Sequence, residues 1–241
     1  MNNYKIEISY DGSSFHGFQK QVSVRTVQSE IEDSLKLIIK DYELNYAGRT
    51  DAGVHARSQI LSLKTSKNLN PSFFKSLDSL LGHEIKIKKF QKVKNSFHPR
   101  FEAESRVYKY FLQGNDKGSP YNRNYRYLVR TPVELGQLKS IEKIFVGKKN
   151  FKNYSKLRKG QDPHREISKS EWSKSNDYFI YTIEGKSFLH NMVRSIVGCQ
   201  LAVLENKVTK KELKESLQQP QKTRFNFIAP AQGLYLWKIK Y

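Results

Sequence analysis

The 241-residue chain is short of cysteine, of acidic groups and of long apolar runs. Cys199 is the single cysteine, which excludes an internal disulfide. It falls inside an apolar helical pattern, the usual setting of a buried and inert thiol. There is no cysteine pair and no paired-histidine motif, and the six histidines are scattered, so nothing in the spacing argues for a metal. No apolar stretch reaches membrane-spanning length and the N-terminus has no apolar leader core, which points to a soluble, cytoplasmic protein. Acids number 23 against 43 Lys and Arg, for a net charge of +20. Such an excess favours a polyanionic partner, nucleic acid being the commonest; a merely soluble basic protein is the alternative. Apolar residues make up only 37%, yet fourteen Phe and fourteen Tyr supply the bulk of a core. The length admits one large domain or two smaller ones.

What the chain does have is concentrated in one run, Tyr46-Ala47-Gly48-Arg49-Thr50-Asp51-Ala52-Gly53-Val54-His55-Ala56. A short strand-like segment precedes it, and the apolar Ile60-Leu61-Ser62-Leu63 follows. Gly48 and Gly53 suit a tight, exposed loop because glycine tolerates positive φ and close backbone approach. Asp51 stands at the centre of that loop. An acid held between two strands is well placed for a nucleophile, although a polar turn with Asp51 capping its own backbone has the same composition.

Alternation predicts strands over 4–10, 85–87 (continued loosely to 93) and 106–112, and a strand pair over 167–172 and 178–184 turning at Ser175-Asn176-Asp177. Helices are predicted from Thr26, with Val27, Ile31, Leu35 and Ile38 at helical spacing, and from Asn70-Pro71, a cap followed by proline at the first helical position. Others are expected over about 133–145, from Phe188 to about Leu204, and from the capping box Thr209-Lys210-Lys211-Glu212 to near Pro220. Residues 114–120 read as a turn-rich crossing, and 148–160 as a basic loop that either contacts RNA or is simply solvated. In the strand at 106–112, Arg106, Tyr108 and Tyr110 share one face. Arg194 is one strong charge in a dense apolar pattern and needs a partner. Tyr10-Asp11-Gly12-Ser13-Ser14-Phe15 and Ile183-Glu184-Gly185-Lys186-Ser187-Phe188 echo one another, which hints at two related α+β halves.

The eight residues 48–55, GRTDAGVH, resemble the signature of the tRNA pseudouridine synthase A family. Further matches are Tyr10-Asp11-Gly12, Gly17-Phe18-Gln19 and Arg25-Thr26-Val27-Gln28, the R-x-Y-x-Y of Arg106, Tyr108 and Tyr110, the run 188–198, and the closing Ala229-Pro230-Ala231-Gln232-Gly233-Leu234-Tyr235-Leu236. Pro99 stands where the family usually has Ala, and Ile228 where it commonly has Thr.

The resemblance implies an α+β fold. Two related α/β halves, 1–105 and 106–241, share a large mixed, mostly antiparallel sheet with helices on one face and the active-site cleft between them. It implies isomerisation of uridine to pseudouridine at positions 38 to 40 of the tRNA anticodon arm, by a homodimer, with neither cofactor nor metal. Asp51, Tyr108 and Arg194 would be catalytic, with Arg194 the ion-pair partner of Asp51. Arg49, Arg106, Gln19, His55, Leu234 and again Tyr108 would bind substrate. Whether Asp51 attacks C1′ or helps remove a sugar proton on a glycal route stays open. A non-catalytic RNA-binding protein is the alternative reading; a nuclease or deaminase lacks the clustered acids or Cys/His ligands it would need.

Overall fold

The computed structural model describes residues 1–114, 117–220 and 225–241. Residues 115 and 116 of the expected crossing at 114–120 lie outside the described residues. The architecture is mixed α/β with mostly antiparallel strands and, among the described residues, five α-helices. The chain divides into two compact units: Met1–Glu104 with Tyr235–Tyr241, and Ser105–Leu234.

In the first unit, β1 (Asn2–Tyr10), β2 (Glu43–Tyr46), β3 (His55–Thr65), β4 (Ile85–Val93) and β10 (Leu234–Lys240) stand in the order β4-β1-β3-β10, with β2 also on β3. The strict alternation of β1 buries Tyr4, Ile6, Ile8 and Tyr10. Two helices supply the opposing apolar faces. Helix α1 (Val27–Ile38) buries Val27, Ile31 and Leu35, and α2 (Pro71–Leu80) buries Phe74 and Leu77. Their starts follow local chemistry. Thr26 caps α1 in a reciprocal box with Ser29, and the Asn70 side chain accepts the Phe73 N–H of α2, so otherwise orphan amides are satisfied. The last strand, counted with the second half in the sequence division, runs parallel to β3 with Tyr235 opposite His55.

In the second unit, β5 (Ser105–Gly114), β9 (Tyr178–Gly185), β8 (His164–Ser175) and β7 (Gly147–Asn150) are antiparallel neighbours in that order, and β6 (Tyr127–Val129) adds parallel to β5. Helices α3 (Leu135–Glu142), α4 (Met192–Leu204) and α5 (Lys210–Gln218) complete it. Three expectations need correction. The helix expected over 133–145 is α3 followed by a 3₁₀ turn, Lys143–Phe145. The helix expected to open at Phe188 begins at Met192, because Asn191 takes a left-handed conformation (φ 61°) that interrupts the run. The basic stretch 148–160 is not simply a loop: it holds most of β7 and a 3₁₀ turn, Lys152–Tyr154, with Phe151 and Tyr154 fully buried. The Tyr154 hydroxyl bonds to Ser216 at 2.7 Å, and its ring meets Phe145 edge-on.

The two echoed motifs share an environment, each in its own unit. A Cβ on Gly12 would lie 2.1 Å from the Val54 carbonyl oxygen, and one on Gly185 would lie 2.6 Å from that of Glu166. Only glycine allows backbone to approach backbone so closely.

Candidate active site

Asp51 lies in the connection between β2 and β3, partly buried. That connection is held from several sides. The Thr50 carbonyl accepts the Phe18 N–H at 3.0 Å, and the Thr50 hydroxyl bonds to that of Tyr10 at 2.8 Å. Gly53 N–H reaches the Phe15 carbonyl at 3.3 Å, and Val54 N–H closes a turn on the Asp51 carbonyl at 3.1 Å. Gln59 donates to the Gly48 carbonyl at 2.7 Å. Gly17 has a φ of 93°, and a Cβ there would come within 2.8 Å of the Thr50 oxygen. The 11–18 turn is tied in turn to α1: Val27 N–H donates to Gly17 and Gln28 N–H to Phe18. Arg25 bridges Glu30 and Glu84 and lies over the Phe15 ring. Thus the alternation of β1, the cap of α1 and two glycines together fix the backbone on either side of Asp51.

The expected substrate contacts in this unit divide sharply. Arg49 and Gln19 are exposed, whereas His55 is 1% exposed. The His55 ring stacks on Tyr235 at 4.5 Å, and its Nδ1 accepts the Gly12 N–H at 3.1 Å with an Asp11 carboxylate oxygen 3.2 Å away. The first contact uses the Nδ1 lone pair and the second a proton on the same atom, so the two are exclusive. Here His55 acts as a positioning residue for the Gly12 turn.

In the second unit, Tyr108 and Tyr110 sit on β5, two positions apart on one face. Tyr108 meets the Phe188 ring edge-on at 5.1 Å. Arg106, beside it, donates to the Lys186 carbonyl at 2.6 Å. Tyr110 is fully buried and donates to the Pro230 carbonyl at 2.9 Å; burial pushes its phenol well above the usual value. Arg194, in the first turn of α4, is braced by the same segment. Its Nε donates to the Ala229 carbonyl at 2.8 Å, its Nη1 to Asn191 at 3.4 Å, and its own carbonyl accepts the Ala229 N–H at 3.0 Å. Gly198 lets the Phe227 carbonyl come within 2.6 Å of where its Cβ would be. Leu234 is buried at the start of β10. The closing A-P-A-x-G run is therefore a brace between the Arg194 helix and the tyrosine strand, a role that β5 alternation alone does not reveal.

Residues 7–102 and 141–241 match the tRNA pseudouridine synthase family. Over the whole of both chains, the protein is 39% identical to a tRNA pseudouridine synthase A of Dictyoglomus thermophilum and 36% identical to that of Borreliella afzelii. The chain belongs to the tRNA pseudouridine synthase family. As such a synthase it is an isomerase that converts uridine to pseudouridine in tRNA.

For this synthase the brace yields a direct test. Tyr110→Phe keeps the ring but strips the Pro230 carbonyl of its donor, at a cost of about 1–2 kcal/mol. Urea unfolding is expected to show that loss, and turnover is expected to fall a few-fold, since the same segment orients Arg194. Unchanged stability and unchanged turnover would show that the hydroxyl does not hold the segment.

Proposed function

We propose that this synthase acts at positions 38 to 40 of the tRNA anticodon arm, with Asp51 as the acid that works at the sugar. The reaction breaks N1–C1′, forms C5–C1′, moves a proton from C5 and returns one to N1. It needs an ionised carboxylate beside C1′, a fixed cation, an aromatic surface for the freed base and a means of unstacking the nucleotide. Asp51 supplies the first, whether by direct attack or along a glycal route. Arg194 supplies the second as its counter-ion, a guanidinium whose fork matches a carboxylate. Tyr108 offers its face to uracil and its hydroxyl to the C5 proton. Arg49 occupies the space the nucleotide leaves or clamps its phosphate, offsetting an unstacking cost of a few kcal/mol. Arg106, Gln19, His55 and Leu234 complete the substrate contacts in this reading, His55 through the turn it holds. The family resemblance extends the reading to a cytoplasmic homodimer.

The observation that carries the assignment is the restraint of the backbone around a partly buried Asp51, fixed at Thr50 and Gly53 by bonds from Tyr10 and the 15–18 turn and at Val54 by a turn closed on the Asp51 carbonyl. A nucleophile on a braced loop is pre-oriented, which is worth more than chemical identity alone. Incubation with unmodified tRNA transcripts, followed by chemical mapping, is expected to place pseudouridine only at uridines 38 to 40. Pseudouridine elsewhere in the tRNA, with none in that arm, would overturn the site assignment.

A further inference from the structure

The second unit carries a basic cavity that the proposed chemistry does not use. It measures about 700 Å³ and is lined by Lys143 after α3, Lys148 and Lys149 of β7, His164 of β8 and Lys214 of α5. No acidic residue lines it. Lys143, Lys148 and Lys214 are exposed, and none of the four lysines makes an ion pair among the described residues. This contrasts with Lys20, Lys36, Lys86, Lys94 and Lys207, each of which has a carboxylate partner. Lys149 is committed to the fold, because its ammonium donates to the Ile144 carbonyl. Burial first, then the neighbouring Lys214, lowers its pKa. Three separate elements thus converge lysines on one concavity; Asp162 pairs with His164 at 2.7 Å, but none of the four lysines has a carboxylate partner among the described residues, an arrangement that an anion stabilises.

Register gives the cavity an address relative to the tyrosine strand. Gly147 pairs with Ile167, Ile167 with Gly185, and Gly185 with Arg106. The lysine strand therefore stands in the same row as Arg106, two residues from Tyr108, three strand steps away. At about 4.8 Å per step that is roughly 14 Å across the sheet, a span of a few nucleotides rather than a separate region of the molecule.

We propose that this cavity binds phosphodiester groups of the substrate RNA at a distance from the target uridine, so that it sets affinity and register without touching the chemistry. The inference rests on the tRNA pseudouridine synthase reading for the identity of its ligand. RNA is favoured over a free phosphate because the charges are spread over the turn after α3, β7 and α5 rather than focused on one point, which suits consecutive phosphates.

The test is the triple variant Lys143→Gln, Lys148→Gln, Lys214→Gln, made at exposed positions so that folding is preserved; Lys149 is left intact. Binding of a fluorescein-labelled tRNA transcript is measured from 50 to 300 mM salt, together with kcat and KM. Each lost phosphate contact is expected to flatten the log–log salt slope by about one, so the triple change by about two to three. KM is expected to rise about tenfold or more with kcat nearly unchanged. An unaltered slope in a folded variant would overturn the proposal. So would weakened binding of inorganic phosphate, read by calorimetry, with RNA binding intact, since that would assign the cavity to a free anion. Should the wild-type protein form no pseudouridine, the reading of the activity fails, whereas the salt slope still decides whether these lysines hold RNA.

Discussion

Asp51→Asn is expected to lower pseudouridine formation by on the order of a thousandfold or more while tRNA affinity changes little. The substitution preserves size and hydrogen-bonding shape but removes the charge, and a neutral amide neither attacks C1′ nor takes a sugar proton. Affinity is spared because phosphate contacts carry most of the binding, and the chain's net charge of +20 is not reduced by loss of this one acidic group. The Asp51 backbone carbonyl, which accepts the Val54 N–H, is untouched, so the loop keeps its turn. The rate of pseudouridine formation and the Kd for the transcript, measured on one preparation, separate the two effects. A variant that binds normally and turns over at more than a trace rate would remove Asp51 from the chemistry. One that neither binds nor turns over would show a damaged loop, and Asp51→Ala would then have to reproduce the split.

Arg194→Lys is expected to reduce kcat by on the order of a hundredfold with the fold intact. The guanidinium is held by its Nε–H on Ala229 and by Nη1 on Asn191, which fixes the direction of its plane. A lysine ammonium on a flexible stem keeps the charge but cannot make the bond to Ala229 and also present a planar fork to a carboxylate. A hydrogen bond from a charged donor is worth about 1.5–3 kcal/mol, and each 1.36 kcal/mol of lost transition-state stabilisation is tenfold in rate. On the proposed pairing with Asp51, Arg194 is also expected to show coupling. In Arg194→Ala with Asp51→Ala, the stability losses should be less than the sum of the single changes, because each single change strands one charge. Wild-type kcat in Arg194→Lys, or full additivity in the double change, would separate Arg194 from Asp51.

Local chemistry was the legible part of this molecule. The caps at Thr26, Asn70 and Thr209 act at the predicted helix starts because a cap is satisfied within three residues of itself. The strand pair turning at Asn176 was equally plain, since alternation and a turn residue suffice. The run 48–55 stood out by resemblance, and its setting between two strands by pattern. Features decided by tertiary contact stayed hidden. The helical spacing of Leu189, Met192 and Val193 continues straight through Asn191, so nothing in the apolar pattern marks the left-handed residue that starts α4 at Met192. Phe151 and Tyr154 look solvated among lysines, yet both are fully buried, Tyr154 against Phe145 and bonded to Ser216, which is distant in sequence. Tyr108 and Tyr110 share a face by alternation, but only the returning chain at Pro230 tells the buried brace from its neighbour. His55 sits in a signature run that suggests substrate contact, while its 1% exposure reflects the last strand laid beside it.

The most direct measurement is release of tritium from tRNA labelled at C5 of uridine, because the C5–H bond must break for C5 to join C1′ and no step of RNA binding alone can break it. Wild-type protein in excess over a transcript carrying uridine at positions 38 to 40 is expected to release the label from those uridines to completion, and Asp51→Ala to release none above background. No release by the wild-type protein bound to that transcript, or equal release by Asp51→Ala, would contradict the assignment of Asp51 as the acid of a pseudouridine-forming site.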